Sequence, residues 1–108
     1  MLSATLEDNA AARDFLAQLP LTLDLQDYAA TEKIAQLPTK LSTAGASAGM
    51  TPSIGDITYY APWGNLAIFY KGFGHSAGLV KLGRIHGDIQ VLRAAGPLTA
   101  GIEVAERR

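Results

Sequence analysis

The chain has 108 residues, of which 48% are hydrophobic and 18% are charged, and a formal net charge of −1; this is typical of one small globular domain. The near-neutral charge excludes broad electrostatic attraction to nucleic acid. The absence of cysteine excludes disulfides, thiolate metal sites and a cysteine nucleophile.

The N-terminus does not resemble a signal peptide, because no basic segment precedes an apolar run. No apolar stretch approaches the roughly 20 residues that span a bilayer. We therefore expect a single cytoplasmic domain over residues 1–108, with neither a membrane nor a nucleic acid as partner.

A strand and a helix are predicted first. Residues 2–7 alternate between apolar and polar side chains, the period of a half-buried strand. Asp8 and Asn9 are helix-capping residues, and a helix is predicted over residues 10–19, ending before Pro20. Its apolar stripe consists of Ala12, Phe15, Leu16 and Leu19.

Two further strands and a long loop follow. Residues 21–28 alternate again, and residues 32–37 predict a third strand that Pro38 closes. Residues 39–55 are rich in Gly, Ala, Ser and Thr and show no periodicity. A loop of this length in a small domain is often a lid or a binding loop; the alternative is a plain surface excursion.

A hairpin and a second glycine-rich loop come next. The β-prone runs at residues 56–60 and 66–70 are joined by a segment punctuated with proline and glycine, which predicts a turn. Residues 71–78, KGFGHSAG, form the second loop.

The last third predicts two strands around a short helical turn. Residues 79–85 form a strand in which Gly83 marks a bulge or a close approach. A helical turn is predicted over residues 88–95 and a closing strand over residues 97–106. Short strands with frequent turns are typical of a sandwich or barrel. We predict a mainly β fold: a small closed antiparallel β-barrel with one packed α-helix and a short second helical turn.

Four segments occur in a distinctive order over nearly the whole chain: LEDNAAARDFLAQLPLTLDLQDY, EKIAQLP, GDITYYAPWGNLAIFYKGF and LVKLGRI. Together they resemble the bacterial cyclophilin-like domain family, which implies a compact barrel like that of cyclophilins. Family members usually begin with an extra strand, whereas this chain starts within the second one. Either the barrel lacks a strand or a partner chain fills the gap, so a homodimer is one expectation.

The resemblance in fold does not carry an activity with it. True cyclophilins have a catalytic arginine in a Phe-His-Arg-type motif, with a glutamine and aromatic residues nearby. This sequence contains no such motif, so no residue is assigned a catalytic role.

Other chemistry is weakly indicated. The glycines at 72, 74 and 78 are spaced G-x-G-x-x-x-G and precede a strand, unlike a dinucleotide fingerprint. His75 and Ser76 are adjacent, with Asp56 and Asp88 as candidate acids, but neighbours on a strand point to opposite faces. His75 and His86, the only histidines, do not have the spacing of a zinc site. We expect no metal and no cofactor.

Most aromatic residues lie in and beside the predicted hairpin: Tyr59, Tyr60, Trp63, Phe69, Tyr70 and Phe73. Core packing is their usual role, but alternation sends one of Tyr59 and Tyr60 away from the core, and Trp63 lies in a turn. Glu32 and Lys33 are expected in a structural ion pair or as edge charges.

We expect any ligand site beside this hairpin, rimmed by the 39–55 loop and formed by Tyr60, Trp63, Phe73, His75 and Arg84. The leading hypothesis is a module that binds a peptide or small molecule through aromatic contacts and one or two polar anchors. One alternative is a divergent peptidyl-prolyl isomerase with Arg84 as the cation near the twisted amide. Another is an assembly subunit that pairs through an exposed strand edge.

Overall fold

Nine strands and two helices follow one another along residues 2–105, the part of the chain that the computed structural model describes. The strands are β1 Ser3–Leu6, β2 Leu21–Tyr28, β3 Glu32–Gln36, β4 Gly49–Met50, β5 Asp56–Tyr60, β6 Asn65–Phe69, β7 Ser76–Ala77, β8 Leu79–His86 and β9 Leu98–Ile102. The helices are α1 Ala10–Ala17 and α2 Gln90–Arg93. The fold is mainly β, as predicted, with 42% strand. The strand predicted over residues 97–106 corresponds to β9, and residue 106 lies outside the described residues.

Seven strands form one antiparallel sheet in the order β1-β8-β5-β6-β3-β2-β9. The sheet curls strongly into a half-barrel, and the prediction of a closed barrel is wrong. Its edge strands, β1 and β9, do not pair with each other among the described residues. Helical side chains complete the core, because Ala11 and Phe15 of α1 and Leu92 of α2 pack with the inner face of the sheet. Pairing of an edge with a second chain stays a prediction.

Alternating side chains divide the sheet into an inner and an outer face. The most deeply buried apolar residues of the inner face are Leu25, Tyr59, Leu66 and Leu82, each at most 2% exposed. A second, smaller cluster on the outer face consists of Ala67, Phe69 and Leu79. Phe69 and Tyr70 therefore lie on opposite faces, as the alternation predicts, and Tyr60 packs on the outer cluster while Tyr59 joins the main core.

Helix α1 is capped as the sequence predicts. The Asn9 side chain accepts a hydrogen bond from the Ala12 N–H at 2.8 Å. Its amide also donates to the Lys81 carbonyl at 3.0 Å, which ties the start of the helix to β8. The predicted apolar stripe is wrong at Leu16, which is 44% exposed. The helix rests on the sheet through Ala11, Ala12 and Phe15 instead.

Strand β2 changes partner halfway along its length. Residues 21–25 pair with β9, whereas residues 26–28 pair with β3. The first half of β2 thus separates from β3. The separation leaves a trough with a volume of about 760 Å³, whose polar lining includes Thr22, Asp24, Gln26 and Gln36.

The two glycine-rich loops, residues 39–55 and 71–78, pair with each other. Strands β4 and β7 form a two-stranded antiparallel ribbon. Gly49 is required in β4 because a Cβ at this position would overlap the Ser76 carbonyl oxygen of β7. Met50 packs against the outer-face cluster, so the ribbon lies over the outer face of the sheet.

The β-bulge predicted at Gly83 is confirmed. The register between β5 and β8 shifts between Ile57, which pairs with Gly83, and Thr58, which pairs with Lys81. A Cβ at Gly83 would also overlap the Thr5 carbonyl oxygen of β1. Glycine therefore allows the edge strand to approach β8 closely.

The turn between β2 and β3 holds two alanines in the left-handed region. Ala29 and Ala30 both have a φ of 54°, and the Thr31 N–H donates to the Tyr28 carbonyl at 3.1 Å. Two successive positive φ angles are those of a type I′ turn, which favours Asn-Gly because other L residues are strained there. The sequence carries no such signal at this turn.

Lys33 is completely buried on the inner face of β3. Its ammonium donates to the carbonyls of Ala94 at 2.8 Å and Gly96 at 2.7 Å, and it forms an ion pair with Asp27 at 2.8 Å. Asp27 also accepts hydrogen bonds from the Tyr70 hydroxyl and the Gly96 N–H. The hydrogen bonds from Lys33, Gly96 and Tyr70 lower the pKa of Asp27 to about 2. This network joins β2, β3, the end of β6 and the segment between α2 and β9.

Replacing Lys33 with methionine should lower the free energy of unfolding by about 2 kcal/mol, because the change leaves two carbonyls without a donor and removes the buried ammonium that pairs with the partly exposed Asp27 carboxylate. Chemical denaturation measures the effect. The matched control is K40M. Because Lys40 is exposed, this substitution should change the free energy of unfolding by less than about 0.5 kcal/mol. Equal losses in the two variants would contradict the role given to Lys33.

Replacing Ala30 with glycine should raise the free energy of unfolding by about 1 kcal/mol, because glycine adopts a positive φ without strain. Thermal and urea unfolding test this. The control is A46G, at an exposed alanine outside the left-handed region, where glycine should be slightly destabilising. Destabilisation by A30G would show that the turn is not strained.

Candidate functional site

A groove with a volume of about 370 Å³ opens on the outer face of the sheet, beside the β5–β6 hairpin. Its floor is formed by β3 and β6, and its walls by the β2–β3 turn, the β5–β6 turn and the β7 side of the ribbon. The residues that line it are Tyr28, Ala29, Thr31, Glu32, Tyr60, Trp63, Asn65, Ala67, Phe69, Phe73, Ser76, Ala77 and Leu79. We call it the aromatic groove.

Five of the chain's eight aromatic residues line this groove: Tyr28, Tyr60, Trp63, Phe69 and Phe73. Trp63 stands edge-on to both Tyr28 and Tyr60, with ring centroids 5.4 Å and 5.2 Å apart, an arrangement that aromatic quadrupoles favour. Phe73 lies 6.4 Å from Phe69. Tyr28, Trp63 and Phe73 are nevertheless 43%, 50% and 50% exposed, so the groove presents aromatic surface to the solvent.

Two polar side chains in the groove have no partner among the described residues. Asn65 is 5% exposed, and its Oδ1 atom accepts no hydrogen bond there. Glu32 is partly buried, and burial without a compensating donor raises the pKa of its carboxyl to about 7. Both groups can gain from a bound ligand, because an unpaired polar group in a poorly solvated place is destabilising.

The aromatic groove continues into the trough beside β2. Trp63 and Asn65 line both concavities. The groove is mainly apolar, whereas the trough is lined by amide, hydroxyl and carboxylate groups, among them Asp24. A ligand longer than one side chain can therefore extend past Trp63 from an apolar into a polar environment.

The structure brings together three of the five residues that the sequence predicts for a site, namely Tyr60, Trp63 and Phe73. His75 does not line the groove. Its ring lies against the ribbon, with Nε2 about 3.0 Å from the position of a Cβ on Gly49.

Arg84 lies at the other end of β8. It pairs in register with Asp56, whereas the groove residue Tyr60 pairs with Leu79, five residues or about 17 Å away along the strand. The Arg84 guanidinium donates to the Ile54 carbonyl at 3.3 Å and lies 3.8 Å from the Asp56 carboxylate.

Sequence reasoning missed Tyr28, Glu32 and Asn65. Lys33, not Glu32, is in the structural ion pair, because neighbours on a strand face opposite sides. A signal was available: Tyr28 and Glu32 pair directly across the β2–β3 hairpin, so recognising this short turn would have placed both on the same face. Nothing in the sequence marks Asn65 as unpartnered.

Other candidate clusters do not assemble. The Ser76 hydroxyl bonds the Gly74 carbonyl at 3.2 Å, and His86 Nε2 lies 2.6 Å from the Thr5 hydroxyl at the far edge of the sheet. Within residues 2–105, no three His, Cys, Asp or Glu side chains are grouped to hold a metal ion. None of the helices in this part of the chain has the length and apolarity to cross a membrane.

Residues 1–104 match the cyclophilin-like family. The chain belongs to the cyclophilin-like family. The resemblance predicted from the sequence is confirmed over almost the full length of this cyclophilin-like chain, and its sheet is an open half-barrel. Comparisons with curated proteins and with solved structures find no match.

The stability of this cyclophilin-like domain should fall as the pH rises from about 4.5 to 7. In this window the folded state keeps a proton on Glu32, whose pKa is about 7, while the unfolded chain has lost it. In E32Q the stability should no longer fall with rising pH in this window. At pH 8 its free energy of unfolding should exceed that of the parent chain by about 2 kcal/mol, since one pKa unit corresponds to about 1.4 kcal/mol.

Urea midpoints at pH 5 and pH 8 provide the measurement. The matched control is E103Q, at an exposed glutamate, which should keep the parent's pH dependence. A pH dependence that is the same in E32Q and in the parent would overturn the assignment to Glu32.

Proposed function

We propose that this cyclophilin-like domain is a binding module that holds a small molecule or a short peptide segment in the aromatic groove. The observation that carries the proposal is the convergence of three half-exposed aromatic side chains, Tyr28, Trp63 and Phe73, on one concave surface. Exposed apolar surface gathered in a concavity is typical of ligand sites and not of an ordinary solvated surface.

The buried amide of Asn65 supports the same proposal. Asn65 lines the groove, and its Oδ1 atom is buried without a donor from the described residues. Leaving such an acceptor unsatisfied costs about 1–3 kcal/mol. A ligand N–H or O–H recovers this energy when the Asn65 side chain turns its Oδ1 atom toward the groove, so we expect the ligand to carry a hydrogen-bond donor beside its apolar part.

The geometry favours binding over isomerase chemistry. The isomerase hypothesis requires a cation near the bound amide, and it assigned Arg84 to that role. No residue that lines the aromatic groove is lysine or arginine, and Arg84 lies about 17 Å along β8 from the groove. A protease-coupled proline-peptide assay should accordingly give the uncatalysed rate.

The test uses Trp63, the chain's one tryptophan, as a built-in reporter. A library of short peptides and small metabolites is titrated against the intact domain, and Trp63 fluorescence and amide chemical shifts are recorded. We expect hits that shift the amides of β3 and β6. A blank library, or shifts confined to residues outside the groove, would remove the proposal.

The variant N65L separates binding from stability. Leucine has nearly the same size and removes an unpaired buried acceptor, so we expect stability to rise by about 1 kcal/mol while affinity for the library hits falls about tenfold. The control is V91A, at an exposed position on α2, which should keep the affinity. Undiminished affinity in N65L would show that Asn65 does not contact the ligand.

A further inference from the structure

The charged residues that line the aromatic groove and the trough are exclusively acidic. Glu32 lines the groove, and Asp24 lines the trough that continues it. Neither lining contains a lysine, arginine or histidine. The linings of the aromatic groove and the trough thus contain acidic groups and no basic one.

Glu32 is placed between aromatic neighbours. It pairs across the sheet with Tyr28 of β2 on one side and with Phe69 of β6 on the other. Both neighbours line the groove with it. No described residue donates a hydrogen bond to the carboxyl, and burial raises its pKa to about 7. The carboxyl is therefore held at the groove without a counter-charge.

A carboxylate beside exposed aromatic rings has one natural ligand chemistry. The negative faces of aromatic rings attract a cation, and in water a substituted ammonium is favoured because its apolar periphery makes it easier to desolvate. The carboxylate adds direct charge complementarity. Metal ions fit poorly here because they require several oxygen or nitrogen ligands, whereas the groove offers mainly carbon.

We propose that the aromatic groove recognises the substituted ammonium group of its ligand, held against Tyr28, Trp63 and Phe73 and paired with the Glu32 carboxylate. This inference rests on the proposed binding function and narrows it to one class of ligand. The ammonium could belong to a free amine or to the side chain of a lysine in a peptide, and the two sources are separated below.

Binding should depend on pH through Glu32. The titratable groups on the neighbouring elements are Tyr28 on β2, Tyr60 on β5, the inner-face pair of Asp27 and Lys33, and Tyr70 after β6; Lys71 and His75 follow in the next loop. Asp27 has a pKa of about 2 and Tyr70 of about 12, whereas that of Glu32 is about 7. Between pH 6 and 8, Glu32 gains the charge that attracts the cation. The variant H75Q serves as the control for the histidine of the neighbouring loop.

The experiment titrates choline, and separately its neutral carbon analogue 3,3-dimethyl-1-butanol, into the intact domain at pH 8 while Trp63 fluorescence and amide chemical shifts are recorded. We expect choline to bind at least about tenfold more tightly than the neutral analogue. E32Q should lose most of this preference. Choline affinity should rise about fivefold or more from pH 6 to pH 8 in the parent and in H75Q, but not in E32Q.

A second pair of probes identifies the source of the ammonium. N-acetyl-lysine methylamide and N-acetyl-norleucine methylamide differ in the charged end of the side chain. Preference for the lysine derivative over both norleucine and choline indicates a peptide ligand, whereas preference for choline indicates a free amine. Both results support the cation inference.

Equal binding of choline and its neutral analogue, with library hits still present, overturns the cation inference and leaves the binding function standing. A preference that survives in E32Q overturns the role of Glu32. No binding of any probe or library member overturns both proposals together. Circular dichroism of E32Q confirms that its fold is intact, which we expect because the change removes a poorly solvated carboxyl.

Discussion

The buried ammonium of Lys33 is the constraint on which the two faces of the sheet depend. Its bonds to Asp27, Ala94 and Gly96 determine which face of β3 points inward, and they hold the segment after α2 against β3. A slip of one residue would move Lys33 to the outer face and leave Asp27 and the two carbonyls without their donor. The same register necessarily turns Glu32 outward, to the floor of the aromatic groove.

The groove is formed by connections between strands that lie over the outer face of the curled sheet. The strained turn at Ala29 and Ala30 brings Tyr28 to its rim, and the β4–β7 ribbon forms the facing wall over the outer-face cluster. Trp63 stands between the groove and the trough that opens where β2 leaves β3. Aromatic surface, a buried unpaired amide and an unpaired carboxyl meet in this place because the β2–β3 turn, the β5–β6 turn and the loop that contains β7 converge on it.

Membership of the cyclophilin-like family accounts for the sheet and says little about chemistry. The cation that an isomerase would need at the groove is absent from its lining, and Arg84 interacts with Asp56 and the Ile54 carbonyl instead. An acidic, aromatic lining is suited to a positively charged ligand. The charge of the groove lining is thus opposite to that required for polarising a bound amide.

The sequence by itself determined the main strands and the opposite orientations of Phe69 and Tyr70 through the alternation of apolar residues. Its capping residue and its glycine in a strand also determined the helix that Asn9 caps and the bulge at Gly83. All of these follow from the local geometry of strands and helices. The sequence also placed four groove aromatics, Tyr60, Trp63, Phe69 and Phe73, in and beside one hairpin. Only the tertiary structure decided that the barrel stays open, that the glycine-rich loops pair, and that Glu32 and Asn65 face the groove. Periodicity predicts on which face of a strand or helix a residue lies. Which strands pair, and which polar groups have no hydrogen-bond partner, depends on contacts between residues distant in the chain.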